Sequence, residues 1–208
     1  LSIALPLTEE CRSRLFQTSL DYKTARINDG AAFLIDNITG EILVWCGGTD
    51  FDRADNGQVD GVLAINQTGS STKPFLYAAA LQNGFYPASV LPDVPMDFGT
   101  DQVYVPQNFN NRFNGPQLFR TCLASSLNIP AVFLLYRLGV DQYCRVLDSL
   151  GLFSIKNQRE NLGLSLALGA GEVSLYELGR AFSVFSRDGT VPKLTIFAQK
   201  PGCTAYKS

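Results

Sequence analysis

The sequence predicts an α+β fold, and three observations predict it. A β-rich hairpin comes early, at residues 31–46. A helix that is apolar on almost every side follows at residues 70–82. From about residue 117 to residue 186 the pattern is mostly helical, after one long proline-rich excursion.

Residues 1–30 are polar and mixed, and form an N-terminal segment leading into a domain that fills residues 31–208. A helix is expected there from Thr8, as its N-cap, to about Leu20. The hairpin strands at 31–35 and 41–46 are joined by Asp36-Asn37-Ile38-Thr39-Gly40, which is turn chemistry, and Gly47-Gly48 stops the second strand. Residues 49–61 carry Asp50, Asp52, Asp55 and Asp60 among few apolar residues and read as a surface loop. The 70–82 helix ends at Asn83-Gly84, and its body, Phe75 through Leu81, marks a buried central helix. Pro87, Pro92, Pro95, Pro106 and Pro116 make residues 85–116 a long irregular excursion, and long loops tend to be functional. Helices are then expected at 117–125 and 130–138, the latter with Pro130 in a first-turn position. Another, capped by Asp141, ends at Gly151. Ser174-Leu175-Tyr176-Glu177 is a capping box opening a helix to about Ser186, stopped by Asp188-Gly189, and residues 191–198 read as one strand.

Composition removes several classes of function. A length of 208 residues fits one domain, or one with a small appendage, and 46% hydrophobic with 17% charged residues is globular rather than disordered usage. A net charge of −2 argues against nucleic-acid binding. No apolar run reaches the roughly 18 residues that span a bilayer. The chain opens on Leu1 with no secretory signal, so it is read as a processed or excised piece of something longer. The absence of histidine removes Ser-His-Asp and Cys-His catalysis together with His-containing zinc sites. Cys11, Cys46, Cys122, Cys144 and Cys203 form no Cys-x-x-Cys pair, so no metal and no cofactor is expected; Cys46, Cys122 and Cys144 fall in apolar segments as small core residues.

The chemistry concentrates in Gln67-Thr68-Gly69-Ser70-Ser71-Thr72-Lys73-Pro74-Phe75. Ser70 opens the buried helix and Lys73 follows three residues later, on the same face. A serine hydroxyl needs a neighbouring base, and a desolvated lysine can serve because burial lowers an ammonium's pKa. The helix N-terminus favours a developing oxyanion, while Pro74 disfavours a helical Lys73 and predicts an irregular first turn. Ser-x-x-Lys by itself equally describes a capped helix with a solvated lysine. The second element is Ser126-Leu127-Asn128, at a break between helical segments. There the hydroxyl can relay a proton and the carboxamide can hold a substrate peptide, although Asn128 can also simply cap the helix entered at Pro130. Together the two strings match the first two motifs of serine β-lactamases and penicillin-binding proteins.

The flanks make the resemblance specific. Gly69 through Leu81 resembles the active-site helix of class A penicillin-binding proteins, and Leu123 through Val132 resembles their second motif. Gly57-Gln58-Val59-Asp60-Gly61, Leu91-Pro92-Asp93-Val94-Pro95, Arg112-Phe113-Asn114-Gly115-Pro116, and Leu164 through Gly169 with Glu172-Val173-Ser174 are similar to the 1C-type branch. The resemblance implies the penicillin-binding protein/serine β-lactamase-like transpeptidase fold, truncated before the later sheet strands. It implies a DD-transpeptidase acting on D-alanyl-D-alanine stem peptides of peptidoglycan, with Ser70, Lys73 and Ser126 catalytic and Asn128 substrate-binding. β-Lactams would be its inhibitors and other cell-wall enzymes its partners. The site would lie on the outer face of the bacterial cytoplasmic membrane, held there only by an upstream anchor.

The family's third motif, Lys-Thr/Ser-Gly on a strand, is not found; Lys200-Pro201-Gly202 is the nearest string, and Pro201 removes a strand donor. The hairpin is therefore expected to keep an exposed edge, and the chain alone to be a poor catalyst, since one oxyanion donor is worth roughly 100- to 1,000-fold in rate. Two alternatives stay open: a DD-carboxypeptidase or β-lactamase-like hydrolase, and a degenerate domain that binds peptidoglycan or a partner without catalysis.

Overall fold

The computed structural model describes residues 1–25, 27–55, 57–99 and 104–198. The chain divides into two compact units, one made of Leu1–Asn66, Leu150–Leu152 and the described residues from Val173, the other of Gln67–Ser149 and Phe153–Glu172.

The first unit opens with α1 (Leu5–Asp21), which starts earlier than the sequence signal. Pro6 stands in its first turn, where a missing N–H removes no helical bond. Thr8 is therefore inside the helix rather than its cap, and its hydroxyl donates to the Ala4 carbonyl at 3.1 Å. Strands β1 (Ala32–Ile35) and β2 (Ile42–Cys46) pair antiparallel, with Phe33 opposite Trp45 and Leu34 opposite Val44. The turn is closed by Asp36, whose Oδ1 accepts from the backbone of Ile38 and Thr39 and from the Thr39 hydroxyl. Alternation on β2 sends Ile42, Val44 and Cys46 into the core. Phe33 and Trp45 meet edge-on, with ring centroids 5.5 Å apart.

The loop at 49–61 is more tightly held than its polarity predicts. Thr49 is buried and bonded to Asp29, Arg53 pairs with Asp29 at 2.7 Å, and Asp60 accepts from the Trp45 indole at 2.9 Å. The chain passes from the first unit to the second through β3 (Ile65–Gln67) and returns through β6 (Glu172–Ser174).

After β6, α6 (Leu175–Phe182) carries the expected capping box: the Ser174 hydroxyl accepts from the Glu177 amide, and the Glu177 carboxylate accepts from the Ser174 amide. A 3-10 turn, Ser183–Ser186, finishes it, with Asp188 and Gly189 left-handed beyond. Residues 191–198 do not form the expected strand. One isolated bridge joins Thr195 to Glu41, and the Pro192 carbonyl accepts from Arg180 instead of a neighbouring strand. The hairpin edge expected to be bare is covered at the start of β2, where the Ile42 amide donates to Thr195 at 2.8 Å and the Ala4 amide donates to Leu43 at 2.8 Å.

The second unit is built around α2 (Lys73–Gln82), preceded by a 3-10 turn, Gly69–Thr72. Strand β4 (Val90–Asp93) lies inside the stretch read as irregular because prolines argue against strands, and β5 (Gly115–Leu118) runs from its end into the start of the helix expected at 117–125. Pro92 stands directly opposite Pro116. Opposed residues in an antiparallel ladder either exchange two hydrogen bonds or none, so this pair occupies a non-bonded position and loses nothing by lacking N–H groups. Helices α3 (Phe119–Ala124), α4 (Asn128–Leu138) and α5 (Val140–Ser149) follow. Phe75, Leu76, Tyr77, Ala79 and Ala80 of α2 are buried, as are Ile129, Val132, Leu134 and Leu135 of α4, and Tyr143 and Leu147 of α5. Each such large aliphatic side chain contributes about 1.5–3 kcal/mol on burial. Cys46, Cys122 and Cys144 are buried and unpaired, as expected of core residues, while Cys203 and the string Lys200-Pro201-Gly202 lie outside the described residues. Among the described residues no helix is long and apolar enough to cross a membrane.

Ser174→Ala removes the α6 cap and is expected to destabilise the chain by about 1 kcal/mol. A thermal melt should register this as a Tm lower by roughly 2–4 °C for a chain of this size.

Candidate active site

The sequence singles out Ser70, Lys73, Ser126 and Asn128; the second unit joins the last three through hydrogen bonds from the Lys73 amine, while Ser70 lies on the adjoining 3-10 turn. Ser70 is exposed within the 3-10 turn at Gly69–Thr72, and its carbonyl accepts from the Lys73 amide. Gly69, at φ 54°, supplies the left-handed turn that raises the chain out of β3 into this corner. The expected irregular first turn is present, but Lys73 itself is helical, at φ −53° and ψ −40°. Pro74 falls in the first turn of α2, where no ladder bond is lost.

Lys73 is only 1% exposed. Its Nζ lies 2.7 Å from the Ser126 carbonyl, 2.8 Å from Asn128 Oδ1, 3.2 Å from Ser126 Oγ and 3.3 Å from the Leu127 carbonyl. An ammonium has three N–H donors, so these four oxygens share them. None of the four carries a formal charge, and burial without a counter-ion pulls the Lys73 pKa down from 10.5 to about 8.

The Ser-x-Asn break is shaped to present this oxygen set. α3 ends at Ala124, Ser125 turns, and Ser126 adopts φ 51°, a left-handed conformation sparsely populated by serine. That twist sends both the Ser126 carbonyl and its hydroxyl toward Lys73. Asn128 does not serve as a helix cap. It is the first residue of α4, its Oδ1 faces Lys73, and its Nδ2 donates to the Gln107 carbonyl at 2.8 Å.

A further backbone segment closes on the Ser70 turn, and sequence reasoning missed it. The 3-10 stretch Leu164–Leu168 ends at Gly169, at φ 86°, and a Cβ built there would overlap the Gly69 backbone. The Thr68 amide also donates to Gly171 at 3.3 Å. The available signal was the Gly169-Ala170-Gly171 spacing, which announces a close backbone approach without naming its partner.

The family model for the penicillin-binding protein transpeptidase domain matches residues 30–203 of this chain. The chain belongs to the penicillin-binding protein transpeptidase family. Penicillin-binding protein 1C of Escherichia coli strain K12 is 35% identical over 173 residues, covering 82% of this chain and 22% of that protein. Penicillin-binding protein 1A of Pseudomonas aeruginosa is 35% identical over 164 residues, covering 76% of this chain and 19% of its own length. The crystal structure of penicillin-binding protein 1A from Haemophilus influenzae superposes with a TM-score of 0.72 at 29% identity, over 80% of this chain and 25% of that one. A peptidoglycan glycosyltransferase structure from Burkholderia ambifaria, 21% identical, shares the fold with a TM-score of 0.81 over 98% of this chain and 66% of its own. The expected transpeptidase fold and the resemblance to class A penicillin-binding proteins are thus borne out, and the chain spans about a fifth of the length of the curated relatives it matches.

Gly169→Ala is expected to force the Ser70 turn apart. Overpacking of this kind costs about 1–3 kcal/mol, so a thermal melt should show a Tm lower by roughly 2–10 °C. An unchanged Tm in this variant would show that the turn tolerates the displacement.

Proposed function

We propose that this chain carries the acyl-transfer site of a peptidoglycan DD-transpeptidase, with Ser70 as nucleophile, Lys73 as base, Ser126 as proton relay and Asn128 as substrate-binding group. The observation that carries the reading is the buried Lys73 amine, bonded to Ser126 and Asn128 while it follows Ser70 on the adjacent turn. In the neutral amine two N–H groups satisfy the nearest oxygens, Ser126 O and Asn128 Oδ1, and leave the lone pair free to take a proton.

Ser70 Oγ attacks the carbonyl of the D-alanyl-D-alanine bond, and its proton passes to Lys73 Nζ. Free N–H groups at the start of the helix, that of Ser70 among them, face the developing oxyanion. As the C–N bond breaks, the proton moves through the Ser126 hydroxyl to the departing D-alanine nitrogen. An amine of a neighbouring stem peptide then attacks the Ser70 ester, forms the cross-link and returns the serine its proton. A β-lactam opens on the same serine, but its leaving nitrogen stays tethered, so the acyl-enzyme persists. No step calls for a metal or an organic cofactor. Work on stem peptides puts the site on the outer face of the cytoplasmic membrane, with residues 31–208 as the transpeptidase portion.

The test is the intact mass of the purified chain after incubation with a penicillin. One adduct is expected on the parent chain and none on Ser70→Ala; an adduct surviving in Ser70→Ala would remove Ser70 from the role. The pH dependence follows from Lys73. With a pKa of about 8, roughly a tenth of the amine is neutral at pH 7. The acylation rate should therefore climb about tenfold per unit below pH 8 and level off above it, and Lys73→Arg, charged throughout, should lose both the rate and the inflection.

A further inference from the structure

Asn108 lies in the excursion between β4 and β5 and is 5% exposed. Its Nδ2 donates to Asp93 Oδ1 at 2.7 Å and to the Arg112 carbonyl at 2.9 Å, while its Oδ1 accepts from the Asn128 backbone amide at 2.8 Å. Because a carboxylate only accepts, Asp93 fixes which end of the Asn108 carboxamide faces which way. Asp93 is 0% exposed and among the described residues forms no ion pair. Its charge is carried by Asn108 Nδ2 and by the Asn114 backbone amide and side chain, at 2.9 and 2.6 Å. A buried carboxylate held only by amide donors locks those amides firmly, since losing any one leaves charge unsolvated.

The amide that Asn108 receives is one of the orphan N–H groups at the start of α4. The residue in the N-cap position, Leu127, has no side chain to satisfy it. Asn108 therefore caps α4 from outside the helix, at the residue whose side chain faces Lys73.

We infer that Asn108, oriented by Asp93, is a positioning residue that fixes the N-terminus of α4, and so holds the Asn128 carboxamide against Lys73. The inference rests on the acyl-transfer reading for its rate measurement, and on hydrogen bonding alone for a second one. In the full chain, Asn108→Ala should lower the penicillin acylation rate roughly 10- to 100-fold. In the background of Asn128→Ala the same substitution should have almost no further effect, because the group it positions is already gone. Equal losses in both backgrounds would overturn the inference in favour of a general packing role.

The second measurement is hydrogen exchange at the Asn128 amide, expected to be at least about tenfold faster in Asn108→Ala, with the Leu134 and Leu135 amides unchanged as controls on α4. Unchanged exchange at Asn128 would also overturn it. A wild-type chain that takes no penicillin would sink the acyl-transfer reading, while exchange would still decide the role of Asn108. If Asn108→Ala does not fold, Asn108→Ser enters the same cycle and the same exchange measurement. Its hydroxyl is too short to reach Asp93 and Asn128 together, so the same two outcomes decide.

Discussion

One buried ammonium sets the terms for the second unit. Taking Lys73 out of water without a counter-ion is unfavourable, and the surrounding chain answers with two backbone carbonyls, a carboxamide oxygen and a hydroxyl. Neutral oxygens hold an ammonium less strongly than a carboxylate would, so its pKa is left low instead of being restored. A carboxylate in their place would favour the charged form and hold the pKa up. The solvation of Lys73 and its lowered pKa thus have one cause, expressed in which acceptors face it.

Much of this was legible in the sequence and some was not, for reasons that lie in particular residues. The hairpin, the central helix, the capping box at Ser174 and the Ser-x-x-Lys and Ser-x-Asn strings that meet at Lys73 could be read because each is announced by local chemistry within a few positions. The strands β4 and β5 were hidden because Pro92 and Pro116 argue against strands one at a time, and only their pairing removes the objection. The close approach of Gly169 to Gly69 and the reach of Asn108 to Asn128 join distant parts of the chain. No periodicity encodes such contacts. Residues 191–198 misled in the opposite direction, since the run looked like a strand and became a bridging segment across the start of β2.

The site is shaped by backbone conformation as much as by side chains. Gly69 and Gly169 are left-handed by virtue of having no Cβ, whereas Ser126 adopts that conformation despite having one. Such strain persists only where the surroundings over-determine it. At Ser126 they do: its carbonyl and hydroxyl both bond the Lys73 amine, and its amide donates to Leu123 at 3.0 Å. The lysine that needs solvating is therefore also what keeps the serine in its unusual turn.

The opposed prolines of β4 and β5 carry a consequence of their own. A slip of one residue between these strands would turn one proline or the other toward its partner strand, into a ladder position that demands an N–H, and a hydrogen bond would be forfeited there. The pair therefore works as a keyway, fixing which residues of two otherwise short and forgiving strands turn toward each other. Asp93 is the residue next to that key, and Gly115, its partner across the ladder, follows Asn114. A covalent accident of proline chemistry, the absent hydrogen, thereby fixes the face of the strand pair on which the buried Asp93 side chain is delivered.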